Sequence, residues 1–168
     1  TAGVTQVTEP ALSRDHTERM LTGFGAVIQR DGLTVTLEGW PDLKGQTIRV
    51  PGDISSAAFF LVAGLLCPGS DLLIEGVGVN PTRTGLLDLL AEMGAGLTLA
   101  NERLEGGEPV ADIGVKFAEL KGITVPPDVI PRAIDEFPIF FVAAALAQGQ
   151  TVLAGAGELR HKESDRIR

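Results

Sequence analysis

The segment LKGQTIRVPGD at residues 43–53 is echoed by LKGITVPPD at residues 120–128. Each is followed by an apolar run of helical length, AAFFLVAGLL at 57–66 and FPIFFVAAALA at 137–147. At an offset of 80 residues, Phe60 meets Phe140, Val62 meets Val142, Leu66 meets Leu146 and Gly69 meets Gly149. Each run then reaches a turn and a short strand, DLLIEGVG in one copy and TVLAGAG in the other. A second helix follows both times, one from Pro81 to Met93 and one opening at KESDR. That second helix has an earlier relative. SRDHTERMLTGFGAVI and TRTGLLDLLAEMGAGL both stop at a C-terminal-cap glycine, Gly25 or Gly94, the residue type that takes the left-handed conformation a helix end favours. Alternating strands come next, with an Asp31-Gly32 hairpin turn in the first case.

The repeating unit is helix, strand, helix, then two or three strands, recurring every 70–80 residues. Repetition at this length means stacked supersecondary modules, none able to bury its apolar helices alone. The fold class is α/β, with one complete unit and two partial ones. The run at 54–66 is apolar nearly all round, which predicts a helix buried on most sides. Asp53 is placed to cap it, with Ser55 and Ser56 in the first turn. Asn80-Pro81 reads as a cap and first helical position, and Asp135 as the cap of the run at 137–147.

Composition narrows the function classes. A chain of 168 residues suits one ordinary domain or two small ones, and 44% hydrophobic residues with no Tyr suit an aliphatic core. The net charge of -8 argues against a nucleic-acid-binding or anionic-membrane surface, and no apolar run reaches the length of a membrane span. Cys67, inside an apolar stretch, is expected to be a buried hydrophobe. One cysteine permits no internal disulfide, which fits a reducing, cytoplasmic compartment.

Against this acidic background, RHKESDRIR at 160–168 gathers Arg160, His161, Lys162, Arg166 and Arg168. In a helix, Lys162 and Arg166 share one face. Two readings stay open there: a solvated face with Glu163 and Asp165 offsetting the cations, or an anion site. Arg14 raises the same choice. In SRDHTERM, Ser13 or Asp15 can cap a helix, with Glu18 completing a capping box on Asp15. An arginine at a helix N-terminus is electrostatically misplaced unless an anion joins it. Asp135-Glu136 reads as a cap with a dipole-favoured acid, or as a carboxylate in reach of a substrate hydroxyl. His16 and His161 have no ligand-spaced neighbours for a metal. Phosphate-binding loops, dinucleotide fingerprints and nucleophile elbows are absent from the sequence.

Taken together, SRDHTERML, VPGDISSAAFFLVAGLL, NPTRTGLLDLLAEMGA, GGEPVADIGV, LKGITVPPD, IDEFPI and ELRHKESDRI resemble the 5-enolpyruvylshikimate-3-phosphate synthases, in that family's order and spacing. RDHTE and NPTRTG resemble the bacterial, glyphosate-tolerant class. The resemblance implies two lobes, each of three βαβαββ-like units. Residues 1–51 would end the first lobe and 52–168 would form part of the second, the chain crossing near Pro51 to Asp53. It implies transfer of the carboxyvinyl group of phosphoenolpyruvate to the 5-hydroxyl of shikimate 3-phosphate, with release of phosphate and with no cofactor or metal.

Carried over by motif, Lys162 resembles the lysine on the shikimate phosphate, and Arg166 a phosphoenolpyruvate-binding arginine. Glu163 resembles the acid that handles the proton at the vinyl methylene carbon. Asp135 resembles the carboxylate that holds the shikimate hydroxyls and helps deprotonate the attacking one. Arg14 resembles a substrate-contacting arginine. The family's N-terminal lysine-serine motif, its serine-glutamine stretch and its later arginine and lysine do not occur in this sequence. The expectation is a middle fragment, inactive without its flanking segments. The alternatives are a non-catalytic substrate-binding or structural fragment, and the sister UDP-N-acetylglucosamine enolpyruvyl transferase. RDHTE and KESDR speak against the sister enzyme.

Overall fold

The structure, a computed structural model, describes residues 2–168. The chain runs β1 (Val4–Thr8), α1 (His16–Gly23), β2 (Ile28–Asp31), β3 (Thr34–Glu38), α2 (Ile54–Leu66), β4 (Asp71–Gly78), α3 (Gly85–Glu92), β5 (Leu97–Glu105), β6 (Glu108–Lys116), α4 (Ile130–Ala133) and α5 (Phe137–Leu146). Short 3₁₀ turns occupy Pro127–Val129 and Gly157–His161. Two antiparallel three-stranded sheets result, ordered β1-β3-β2 and β4-β6-β5. The series α2, β4, α3, β5, β6 is the complete unit; α1, β2, β3 repeats its second half, and α5 opens a further copy.

The repeat is visible in hydrogen bonds. Gly25 and Gly94 follow their helices with φ of +100° and +98°, and the next residue reaches back five positions each time, Ala26 N–H to Leu21 O and Ala95 N–H to Leu90 O, both at 2.9 Å. Only glycine reaches that conformation without strain. The echoed segments also pair alike, Gly52 bridging Val77 and Thr124 bridging Val152, both in parallel.

One core fills the region from Ile54 to Leu159, with Leu61, Leu65, Leu86, Leu89, Leu90, Phe137 and Phe140 fully enclosed. Each such side chain contributes about 2 kcal/mol by leaving water. Gly64 lets α2 lie close on the sheet, since a Cβ there would stand 2.9 Å from Val115 Cγ1 on β6. Two bulges in the β4-β6-β5 sheet converge on Asp112. Its carboxylate accepts from Gly76 N–H at 2.8 Å on one side and from Asn101 Nδ2 at 2.7 Å on the other, so the donors freed by the bulges are satisfied.

Several sequence expectations are corrected. Burial along the two apolar helices does not repeat at the offset of 80: Phe60 is exposed where Phe140 is buried, and Val62 is buried where Val142 is exposed. α2 is buried on most sides, against α5, β4 and β6, but the stripe that holds Phe59 and Phe60, 58% and 63% exposed, has no cover among the described residues. Cys67 is exposed; it ends α2 where the chain turns outward at Pro68-Gly69. TVLAGAG forms a single bridge at Val152 and no strand. α3 begins at Gly85 and not at Pro81, since Asn80 to Thr84 closes as a separate turn.

The capping expectations divide. Asp53 caps α2, accepting from Ser55 N–H at 3.2 Å and Ser56 N–H at 2.9 Å. On α1, Asp15 is the N-cap but makes no side-chain capping bond, and no capping box forms. Its carboxylate is taken by Arg19 and Asn80, and Glu18 by Arg30. Glu136, not Asp135, is the N-cap of α5.

Candidate active site

The site forms where the loop before α1, the α4–α5 junction and the segment after Gly157–His161 meet. Asp135 is its centre. Arg14 Nη2 donates to Asp135 Oδ2. On the other oxygen, Oδ1, Lys162 Nζ lies at 3.3 Å and Arg166 Nη1 at 3.8 Å. Four of the five residues singled out from sequence are thus in one cluster. The fifth, Glu163, hangs on its rim, its carboxylate 81% exposed and 2.6 Å from Arg166 Nη2.

KESDR does not form a helix; bends and a turn occupy 162–167. Local bonds compete instead: Asp165 Oδ1 accepts from Ile167 N–H at 3.0 Å, and Arg166 N–H donates to Leu159 O at 3.1 Å. Lys162 and Arg166 therefore reach the same carboxylate from a turn.

The electrostatics follow from the cations. Burial raises the Asp135 pKa, but hydrogen bonds and charge from Arg14 and Lys162 outweigh it and hold the carboxyl below its ordinary range. Glu163 is lowered as well, by a backbone hydrogen bond first and then by Arg166. The cations outnumber what Asp135 can satisfy. Arg166 Nη1 is buried without a hydrogen-bond partner, so its N–H is available to an anion.

Two cavities flank the cluster. One, about 290 Å³, is lined by Ser13, Arg14, Thr82, Ile134, Glu158 and Lys162. The other, about 570 Å³, is lined by Ser55, Phe59, Asp135, Pro138 and Arg166 among others. Small phosphorylated or carboxylated molecules fit such spaces. Chemically, the arrangement offers guanidinium and ammonium donors for polyanions, with an ionised carboxylate between them to accept a hydroxyl proton.

Behind the cluster lies a polar layer that sequence reasoning passed over. Arg83 Nη2 donates to Ser55 Oγ at 2.8 Å and to Glu136 Oε1 at 3.1 Å, and the Glu136 side chain is 1% exposed. Asn80 Nδ2 donates to Asp15 Oδ1 at 2.7 Å and to Glu108 Oε2 at 3.0 Å, while His16 Nδ1 lies 2.9 Å from Glu108 Oε1. The available signal was a charged pair, Asp135-Glu136, heading an otherwise apolar helix: two adjacent acids cannot both face the same way, and the inward one needs a cation.

Known proteins sharpen this picture. The family description EPSP synthase (3-phosphoshikimate 1-carboxyvinyltransferase) matches residues 1–168. A 3-phosphoshikimate 1-carboxyvinyltransferase of Magnetococcus marinus is 65% identical over 167 residues, covering 99% of this chain and 38% of the relative. Its counterpart in Geobacter sulfurreducens is 62% identical over 165 residues, covering 98% and 38%. The chain thus spans well under half the length of these relatives. Among solved structures, EPSP synthase from Acinetobacter baumannii superposes with a TM-score of 0.94 at 57% identity, over 99% of this chain and 38% of that one. The enolpyruvyl transferase NikO from Streptomyces tendae shares the fold, with a TM-score of 0.60 at 21% identity over 90% of this chain and 35% of that one. With a family match along its whole length, this chain belongs to the EPSP synthase family.

Proposed function

We propose that this chain is the central part of an enzyme that transfers the carboxyvinyl group of phosphoenolpyruvate to the 5-hydroxyl of shikimate 3-phosphate. The observation that carries the reading is the convergence of Arg14, Lys162 and Arg166 on Asp135. Both substrates are polyanions, and three cations around one carboxylate suit a reaction that gathers phosphates beside a hydroxyl to be deprotonated.

In this reading Lys162 and Arg14 hold the shikimate phosphate and Arg166 holds phosphoenolpyruvate. Asp135 orients the sugar hydroxyls and accepts the proton of the 5-hydroxyl as its oxygen attacks C2 of phosphoenolpyruvate. Glu163, freed from Arg166 when the anion takes the guanidinium, carries the proton added to the methylene carbon. Loss of that proton with the C2–O bond to phosphate gives the enol ether and free phosphate. Residues 1–51 belong to one lobe and 52–168 to the other, supported by the separate sheets and by a core drawn from Ile54 onward. A cytoplasmic setting fits relatives named for carboxyvinyl transfer.

The test is phosphate release from shikimate 3-phosphate and phosphoenolpyruvate, with the chain alone and mixed with separately expressed flanking segments. Activity is expected only in the mixture and is lost with Asp135→Asn. Activity of the mixture unchanged by Asp135→Asn overturns the assignment of the carboxylate, and turnover by the chain alone overturns the incomplete-site reading.

A further inference from the structure

We propose that the Asn80–Thr84 turn is a positioning element: Asn80 and Arg83 clamp the two halves of the site from one rigid turn and so set the register of Arg14 against Asp135. The proposal rests on the reading above of Arg14 and Asp135 as substrate-facing groups. Neither Asn80 nor Arg83 touches that pair; both act through a neighbour of it.

Asn80 is 2% exposed, and all of its amide is used. Its Oδ1 accepts from Thr82 N–H at 2.9 Å and from Thr82 Oγ1 at 2.8 Å, which fixes the direction of the amide. Nδ2 is then the donor that faces α1, at 2.7 Å from Asp15 Oδ1 and 3.0 Å from Glu108 Oε2. Asp15 is held on its other side by Arg19 Nη2 at 2.9 Å. Arg14 is the residue immediately before Asp15.

Arg83, three positions after Asn80, does the same for the other half. Its Nη2 donates to both Ser55 and Glu136, and Glu136 is covalently next to Asp135. A buried carboxylate with one cationic partner cannot leave it without large cost, so the position of Glu136 follows that of Arg83. The turn itself is fixed by Arg83 N–H to Asn80 O at 2.8 Å and by Arg132 Nη1 to Pro81 O at 3.1 Å. Arg14 and Asp135, 121 positions apart, are therefore each one residue from a group anchored to the same five-residue turn. Register of this kind matters because a misplacement of about 1 Å in a reacting constellation costs on the order of 100-fold in rate.

The experiment is a ¹³C-carboxyl NMR titration of Asp135 in the 168-residue chain, comparing the parent with Asn80→Ala, Arg83→Gln and Arg83→Lys. Each protein is also titrated with shikimate 3-phosphate. If the turn holds the register, Asp135 in Asn80→Ala and in Arg83→Gln titrates about one pH unit higher than in the parent, because Arg14 is no longer held against it. Asp112, held within the β4-β6-β5 sheet by Gly76 and Asn101, keeps its midpoint; a general loosening moves both. Arg83→Lys keeps a cation for Glu136 and restores most of the parent midpoint. Affinity for shikimate 3-phosphate falls about tenfold in the two disrupted variants. Asp135 midpoints within about 0.2 of the parent in folded Asn80→Ala and Arg83→Gln overturn the proposal. If Arg83→Gln does not fold, Asn80→Ala and Arg83→Lys decide on the same measure. If the parent binds no shikimate 3-phosphate even when mixed with its separately expressed flanking segments, the functional reading fails while the Asp135 midpoints still judge the clamp.

Discussion

Arg14 and Asp135 form an ion pair across 121 positions of sequence, joining the loop before α1 to the turn before α5. Their contact crosses the boundary between the region of the first sheet and the region of the second. With Lys162 and Arg166 on the opposite oxygen, the Asp135 carboxylate is a counter-ion for three cations at once.

This geometry has a pH signature. Burial raises the Asp135 pKa, but Arg14 and Lys162 together bring it below its ordinary range. A folded-state pKa below the unfolded one means stability that is fully present above the unfolded pKa and is lost as pH falls through the folded value. Thermal melts of the parent should therefore lose stability below about pH 4. Asp135→Asn should flatten that acid limb, and an identical limb in both proteins would contradict the assignment.

The buried Arg83–Glu136 pair makes a second, sharper prediction. With the Glu136 side chain 1% exposed and that of Arg83 15% exposed, truncating one partner strands the other in the interior. Glu136→Ala should lower unfolding free energy by about 3 kcal/mol in urea denaturation. Replacing both residues by apolar ones of similar size should cost less than the single truncation. A loss below about 1 kcal/mol from the single variant would place the pair among weak surface bridges.

Gly94 sits at φ +98° after α3, where a side chain is strained. Gly94→Ala should cost about 1 kcal/mol, read as a drop in melting temperature. Gly25→Ala, at φ +100° after α1, should behave alike. Unequal responses would argue that the two helix ends are not equivalent copies of one unit.

The uncovered face of α2 and α5 gives an expectation of the opposite kind. Phe60 is 63% exposed and Leu146 is 67% exposed, so neither contributes much to the core of this chain. Phe60→Ser should change stability by about 0.5 kcal/mol or less and should raise the monomer fraction in sedimentation, because contiguous exposed apolar surface promotes association. A large loss of stability would show that Phe60 is packed in solution.

Much of this was legible before any coordinates. The repeated LKG segments, the Gly25 and Gly94 stops and the Asp53 cap are local signals, and the structure carries each of them. Arg14, Asp135, Lys162 and Arg166 were reachable through the family's motifs, which record long-range geometry that periodicity lacks. What sequence did not disclose was set by competition for partners. Asp15 and Glu18 look like a capping box, yet Asn80, Arg19 and Arg30 take their carboxylates. KESDR looks helical, yet Asp165 and Leu159 draw its backbone into a turn. The near all-round apolarity of α2 implied burial on most sides, but it did not disclose that the stripe of Phe59 and Phe60 would lack a neighbour.

The most direct test of the central claim is a calorimetric titration with shikimate 3-phosphate of the chain mixed with its separately expressed flanking segments, parent against Lys162→Ala. The account predicts saturable binding by the parent, weakened about tenfold or more when the cation on Asp135 Oδ1 is removed. Binding that is absent in the parent, or equal in both proteins, would contradict the assignment of the Arg14–Asp135–Lys162–Arg166 cluster as the phosphate-holding half of the site.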